Sequence, residues 1–266
     1  MRVAVCMHGL SSGINHKNEN NADVIDCLKS FKENLGPAIE IKFDYFFHSW
    51  SHENAHAIFD EIEPKNYIFE NHKTFHKNNL FDWLKHQRRK IFFDMNQPLR
   101  KNNIISRWYS LEKSVQVMTE YSNERKVDYD FVLITRFDAF LLSKYNFKKL
   151  DPSKFYASHW LRYFNNNKEI DERLIKTKNE FRNEIKGYPK DNEGIHDFIF
   201  ICNQENAKKF SDCHKEINNH FNEVGLSSHK IALNQLKKIN LLNKLEFYNY
   251  FSEDISLGRW VAKNDS

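Results

Sequence analysis

The sequence predicts a single α/β domain built on a sheet that begins with parallel strands. Three observations carry this. The runs Arg2–Met7, Ile39–Phe47 and Phe131–Ile134 alternate with segments whose apolar residues recur at helical spacing. Arg2–Met7 and Phe131–Ile134 are apolar at nearly every position, as strands covered on both faces are. The chain has 266 residues, and no Pro/Gly-rich linker or internal repeat divides it, which fits one core over residues 1–266.

Arg2–Met7 leads into His8-Gly9-Leu10-Ser11-Ser12-Gly13, a strand followed by a turn of small residues. Between Asp23 and Asn34, the residues Val24, Ile25, Leu28 and Phe31 share one helical face. Ile39–Phe47 is the second strand and ends at His48-Ser49-Trp50. The stretch 51–103 reads as an irregular and helical insertion. Within it, Ala55–Glu61 predicts a short helix stopped by Pro64, Tyr67–Phe69 a strand, and Asn79–Met95 a helix with Leu80, Trp83, Leu84 and Phe92 inside. Ile104–Tyr121 is the clearest helix, because Ile105, Trp108, Leu111, Val115 and Met118 fall on one face. After Asp128-Tyr129-Asp130, the strand Phe131–Ile134 delivers Thr135-Arg136-Phe137-Asp138 at its C-terminal end. An apolar run resumes over Phe140–Tyr145, and Phe155–Ala157 predicts another strand. Asn165–Lys190 is polar and reads as a charged helix or mobile loop. Ile195–Cys202 predicts a strand, Gln204–Phe221 a helix, Ser227–Lys238 a helix with Ser228 as its N-cap, and Leu245–Tyr250 the last strand.

Forty basic against 36 acidic residues leave a net charge of +4. That admits an anionic ligand, while nucleic-acid binders concentrate positive charge far more strongly, so no nucleic-acid partner is expected. The run Lys85-His86-Gln87-Arg88-Arg89-Lys90, with Trp83, Phe92 and Phe93 around it, is a solvated helix face or a patch for an anionic surface. Cys6, Cys27, Cys202 and Cys213 include no Cys-x-x-Cys pair. Reduced, buried thiols and a reducing compartment are expected, not zinc. No apolar run reaches the length of about 18 residues that a membrane span needs. The expected location is cytoplasmic, with peripheral contact at the inner face of the membrane left open.

In open α/β sheets, ligands bind beyond the C-terminal ends of the strands. The first strand presents His8, Gly9 and Ser11 there. A glycine lets a phosphate or base approach the backbone, although the run lacks the lysine of a P-loop and the spacing of a dinucleotide fingerprint; a plain turn is the alternative. The second strand presents His48 as a ligand contact and Trp50 as a ring that stacks on a base or sugar, with packing and a polar cap as the alternative. Arg136 and Asp138 are alternate residues that project to one side. Such an Asp can ligate a divalent metal that holds a diphosphate, and such an Arg can pair with phosphate; a structural ion pair between the two is the alternative. Asp197 is a candidate general base for an acceptor hydroxyl, an acceptor anchor, or a cap. His229, after Ser227-Ser228 at a helix start, is a candidate metal or phosphate contact, or a packed histidine.

Together these segments resemble the GT-A-like glycosyltransferases of bacterial and viral surface-polysaccharide synthesis. The resemblance runs from Val3-Ala4-Val5-Cys6-Met7-His8-Gly9 through Asp44-Tyr45-Phe46-Phe47-His48-Ser49-Trp50 and Arg107-Trp108-Tyr109-Ser110-Leu111-Glu112-Lys113-Ser114. It continues through Tyr129-Asp130-Phe131-Val132-Leu133-Ile134-Thr135-Arg136-Phe137-Asp138 to His196-Asp197-Phe198 and Ser228-His229. It implies a GT-A-like, Rossmann-type mixed sheet flanked by helices. It implies transfer of a sugar from a nucleoside-diphosphate sugar to a hydroxyl of a capsular or lipopolysaccharide glycan, on a glycan or lipid-linked acceptor.

By this resemblance, Asp138 stands where the second Asp of an Asp-x-Asp motif binds Mn²⁺ or Mg²⁺ and diphosphate. Arg136 replaces the first Asp, and an arginine there can itself neutralise diphosphate charge. His229 is the implied late metal ligand. His8, Gly9, Ser11, His48, Trp50 and Arg136 would hold the nucleotide, and Asp197 would deprotonate the acceptor. The competing expectation is a non-catalytic glycan-binding or scaffold protein that keeps the fold without the chemistry.

Overall fold

A computed structural model describes residues 1–11, 22–35, 40–75, 84, 100–159, 194–250, 253–258 and 261. The Lys85–Lys90 run, nearly all of the helix predicted at 79–95, the polar segment 165–190, and Ser12 and Gly13 lie outside the described residues.

The strands are β1 (Arg2–Gly9), β2 (Lys42–Ser49), β3 (Asn66–Phe69), β4 (Phe131–Arg136), β5 (Ala139–Leu141), β6 (Phe155–His159), β7 (His196–Cys202), β8 (Leu245–Tyr250) and β9 (Ile255–Leu257). The helices are α1 (Val24–Leu35), α2 (Ala55–Ile62), α3 (Arg100–Arg125), α4 (Gln204–Ser211), α5 (Ile217–Val224) and α6 (Ser228–Lys238). Seven strands form one sheet in the order β3-β2-β1-β4-β7-β6-β8, and β5 and β9 pair in a separate ribbon. β2, β1, β4 and β3 run parallel, and β7 runs antiparallel to both β4 and β6. The fold is therefore mixed α/β, a seven-stranded mixed sheet flanked by helices and compatible with a Rossmann-like arrangement.

Strand alternation builds two cores. Ala4 and Cys6 of β1, Val132 and Ile134 of β4, and Phe200 and Cys202 of β7 point to the face covered by α3, α4 and α6. Val3, Val5 and Met7, Phe131 and Leu133, and Ile199 and Ile201 point to the face covered by α1, α2 and the β5–β9 ribbon. Both faces are buried, which is why these strands read as unbroken apolar runs. All four cysteines are free and buried.

α3 crosses one face as the longest helix among the described residues. Ile104, Ile105, Trp108, Leu111, Val115 and Met118 are buried along it. Ser106, Ser110 and Ser114 are buried beside them at four-residue spacing, and these small side chains let α3 sit close to β1 and β2. At the sheet edge opposite the candidate site, Asp44 accepts from Arg2 Nε (2.6 Å) and from the Tyr129 hydroxyl (3.0 Å). Asp130 Oδ2 accepts from Arg2 N (2.7 Å). Asp44, Tyr129 and Asp130 thus tie β1, β2 and β4 together away from the ligand-facing edge.

Four details differ from the sequence expectation. Residues 55–69 are part of the sheet's own β-α-β pattern, with β3 pairing parallel to β2. The segment Gln204–Phe221 is not one helix: α4 ends at Ser211, a 3₁₀ turn covers Asp212–His214, and α5 follows. The Ser211 hydroxyl donates back to the Lys208 carbonyl (2.8 Å) and Asp212 pairs with Lys215 (2.5 Å), local bonds that favour a tight turn over a continuing helix. The N-cap of α6 is Ser227, which is extended and whose Oγ accepts from Lys230 N at 3.4 Å; Ser228 is the first helical residue. Leu245–Tyr250 is not the last strand, because the three-residue β9 follows it and pairs with β5.

Candidate functional site

The parallel strand order changes direction at β1, with β2 on one side and β4 on the other. Ligands of open α/β sheets bind in the crevice beyond such a switch point. His8, the penultimate residue of β1, lies in register with His48 of β2 and Arg136 of β4. Because β7 is antiparallel, its first residues, His196 and Asp197, arrive at the same edge. The start of α6 is pinned there by the Ile195 N–H, which donates to the His229 carbonyl (3.1 Å). Gly194, at φ +89°, makes this approach: a Cβ on it would lie 2.1 Å from the His229 carbonyl carbon.

Two guanidiniums meet at this edge, each held by a carboxylate. Arg136 grips Asp138 in a fork, Nε to Oδ1 at 2.6 Å and NH2 to Oδ2 at 2.5 Å, and lies 5.0 Å over the Phe198 ring. Arg107, from α3, donates to the Asp197 carboxylate and to the Asp197 carbonyl. Burial and then repulsion from Arg136 work against the Arg107 charge. The Asp197 carboxylate is what holds it in place. Burial, followed by the charges of Arg107 and Arg136, pushes His8 well below its ordinary value, so its ring is neutral. His8 Nδ1 is buried and has no hydrogen-bond partner among the described residues, and the same holds for Arg107 Nε.

The residues expected at the site divide into two groups. His8, Arg136, Asp138, Asp197 and His229 meet at the edge. Gly9, Ser11, His48 and Trp50 form the supports behind it. The Gly9 N–H donates to Ser110 Oγ (2.9 Å), and that hydroxyl lies 2.7 Å from His48 Nδ1. His48 Nε2 faces Glu70 at 3.5 Å, and burial holds His48 at about 4, neutral at physiological pH. Ser11 is fully buried, its hydroxyl 2.6 Å from that of Ser49. Trp50 is 6% exposed; it stacks on Tyr109 (5.4 Å, 23°) and meets His48 edge-on at 4.6 Å. Its ring is thus used in packing, the alternative to ligand stacking that the sequence left open.

Asp197 is also placed differently from an open proton acceptor. It is 1% exposed, with Oδ2 held by Arg107 and Oδ1 3.3 Å from His229 Nδ1. It anchors a cation and a ring. The two residues expected to hold Mn²⁺ or Mg²⁺ are each engaged by protein groups. Both Asp138 oxygens accept from Arg136, and a guanidinium and a dication compete for the same lone pairs. His229 Nδ1 is turned to Asp197 and to the Ile195 carbonyl (3.2 Å). Among the described residues, no group of three or more His, Cys, Asp and Glu side chains is arranged to hold a metal.

Arg107 is the functional residue that sequence reasoning missed. Its charge falls within the helix pattern Arg107-Trp108-Tyr109-Ser110 and reads locally as surface. The available signal was its position one residue before the fully buried Trp108, on a helix whose serines face the sheet. A cavity of about 670 Å³ lies between α3 and α5, lined by Phe75, Lys101, Ile105, Glu112, His214 and Lys215. Tyr109 links it to the end of β2, since its ring lies 5.1 Å from Phe75 and 5.2 Å from His214.

Compared with protein-family models and with curated proteins, the sequence matches none of them. No helix among the described residues is long and apolar enough to cross a membrane.

Proposed function

We propose that this chain is a nucleotide-sugar-dependent glycosyltransferase that moves a sugar from a nucleoside diphosphate to a hydroxyl of a surface glycan. The observation that carries the proposal is the pair of guanidiniums, Arg107 and Arg136, beside a buried neutral His8 at the switch point between β1 and β4. In such a transfer the acceptor oxygen bonds to the anomeric carbon as the bond to the diphosphate breaks, and the hydroxyl proton passes to the leaving diphosphate. The leaving diphosphate gains charge, and preorganised cations at that point stabilise the transition state. Arg136 reaches that charge directly, and Asp197 keeps Arg107 oriented. The segment resemblance supplies the surface-glycan part of the proposal. The cavity between α3 and α5, with one aromatic wall and several polar groups, has the chemistry of a sugar-binding groove and is assigned to the acceptor. The proposed setting is cytoplasmic, with peripheral contact at the inner membrane face where the acceptor is lipid-linked.

The test is thermal unfolding in the presence of UDP-, GDP- and dTDP-sugars, with a CMP-sugar as the monophosphate comparison, followed by assay of donor consumption. One nucleotide family should raise the midpoint, because a ligand that binds only the folded state stabilises it. Donor consumption with that family completes the case. If every donor leaves the midpoint unchanged, with and without glycan acceptors, the transferase reading fails. A second reading, a glycan-binding or scaffold protein, is favoured by the mutual neutralisation of Arg136 by Asp138 and of Arg107 by Asp197. Glycan binding without donor consumption would establish it.

A further inference from the structure

We infer that His8, Arg107 and Arg136 form a phosphate site that needs no divalent metal, and that Asp138 occupies it until ligand phosphate displaces it from Arg136. The ligand's identity as a diphosphate rests on the transferase proposal; the anion site does not.

The Arg136–Asp138 fork has the geometry that a guanidinium also makes with phosphate, two parallel N–H···O bonds. The side chains of Arg136 and Asp138 are 25% and 20% exposed, so a ligand can reach the pair. Arg107 is different: it is bound to both the carboxylate and the carbonyl of Asp197, which is 1% exposed. Arg107 is therefore the fixed cation of the site and Arg136 the exchangeable one. At this edge the polar atoms His8 Nδ1 and Arg107 Nε, beside the two guanidiniums, are buried without a hydrogen-bond partner among the described residues. Buried polar groups are nearly always satisfied, and an exception calls for an explanation. An anion seated between the two arginines supplies one, since a guanidinium N–H and a neutral imidazole N–H both donate to a phosphate oxygen.

Asp138 then has a role opposite to that of a metal ligand. As a ligand, its carboxylate would recruit the diphosphate through a dication, and removing its charge would weaken binding. As an internal competitor, it neutralises Arg136 in the empty site, and removing its charge should strengthen binding. The sign of a single substitution separates the two.

The experiment is calorimetric titration of the full-length chain with inorganic pyrophosphate, in EDTA and then in Mg²⁺ or Mn²⁺, for the wild type, Asp138→Asn and Arg136→Gln. Circular dichroism and the melting midpoint of each variant establish folding first. The wild type should bind in EDTA. Asp138→Asn should bind roughly five- to tenfold more tightly, and Arg136→Gln roughly tenfold or more weakly, as loss of a charge-assisted pair predicts. Binding that appears only with the cation and is lost in Asp138→Asn overturns the inference and makes Asp138 a metal ligand. Pyrophosphate binding in neither buffer overturns it as well. The transferase proposal fails separately: pyrophosphate binding in EDTA with no consumption of any nucleotide sugar leaves this site standing and removes that reaction.

Discussion

At the scale of single residues, two groups fix the geometry of the site without touching a ligand. Gly194 lets the chain pass directly over the first turn of α6. Its φ of +89° is a region that L side chains rarely adopt, and an added Cβ would meet backbone atoms of His229 at 2.1 and 2.2 Å. Backbone cannot move aside as a flexible side chain can. Gly194→Ala should cost about 2–4 kcal/mol, from the clash and the backbone conformation together. Gly225→Ala, at φ +76° with nothing within 4 Å of the added carbon, should cost only about 1–2 kcal/mol. Urea denaturation of both variants checks the order. His48 is the second group. Its folded-state value is about 4, against an ordinary 6.5, chiefly because burial penalises the imidazolium. The charges around it are Glu70, which favours protonation, and Lys73 and Lys113, which oppose it. The unfolded chain therefore binds this proton more readily than the folded one. Stability from this group is complete above about pH 6.5 and falls as pH drops from there towards 4. The full loss is on the order of 3 kcal/mol, and His8 acts in the same direction. Denaturation midpoints at pH 7.5 and pH 4.5 should show the fall, and His48→Gln should make it shallower. An unchanged acid limb in that variant would remove His48 as its source.

At the scale of elements, α3 is the part that joins core to site. Trp108 is fully buried against Phe210 (5.7 Å), and its neighbours Arg107 and Ser110 reach the start of β7 and the ends of β1 and β2. Trp108→Ala should cost about 3–5 kcal/mol, as truncation of a large buried aromatic does, and should also loosen Arg107. Ser110→Ala should cost about 1–3 kcal/mol by leaving the Gly9 N–H and His48 Nδ1 without their shared partner. Denaturant melts give both costs, and pyrophosphate titration of Trp108→Ala tests the loosening of Arg107. The helix itself was legible, because its apolar residues repeat at helical spacing over several turns. Its part in the site was not. Sequence spacing tells which face of α3 is buried, but Arg107 meets Asp197 across 90 residues of chain, a pairing that only the fold creates. The strands were legible for the same reason as the helix, since both faces are covered. The break after Ser211 was hidden because Phe210, Cys213 and Ile217 continue a helical spacing through it. The roles of Trp50 and Ser11 were not legible for a related reason: an aromatic or a serine at a strand end looks the same whether it faces ligand or packs behind it.

At the scale of the whole molecule, the site depends on closure between distant parts of the chain. β9 is too short and too ordinary in sequence to announce itself, yet it completes the ribbon with β5 and buries Ile255 and Leu257 fully. The Gly258 N–H donates to the Asp138 carbonyl (2.9 Å), so the segment after β9 touches the backbone of the residue that caps Arg136. Asp254 accepts from the Leu142 N–H (2.9 Å) and from the Ser143 hydroxyl (2.7 Å), which fixes the loop just beyond Asp138. Deletion of residues 253–266 would strip all of these bonds and expose the apolar edge of β5. Loss of the Ile255 and Leu257 side chains alone should cost about 3–6 kcal/mol. Leu257→Ala, which keeps the backbone bonds, should cost about 2–4 kcal/mol. The two variants should differ further in ligand binding. The deletion frees the Asp138 backbone, loosens the carboxylate that competes for Arg136 and should strengthen pyrophosphate binding, whereas Leu257→Ala should leave it near the wild-type value. Urea melts paired with pyrophosphate titration read both effects. Equal stability of the deletion variant and the wild type would mean that β9 is not part of the cooperative unit.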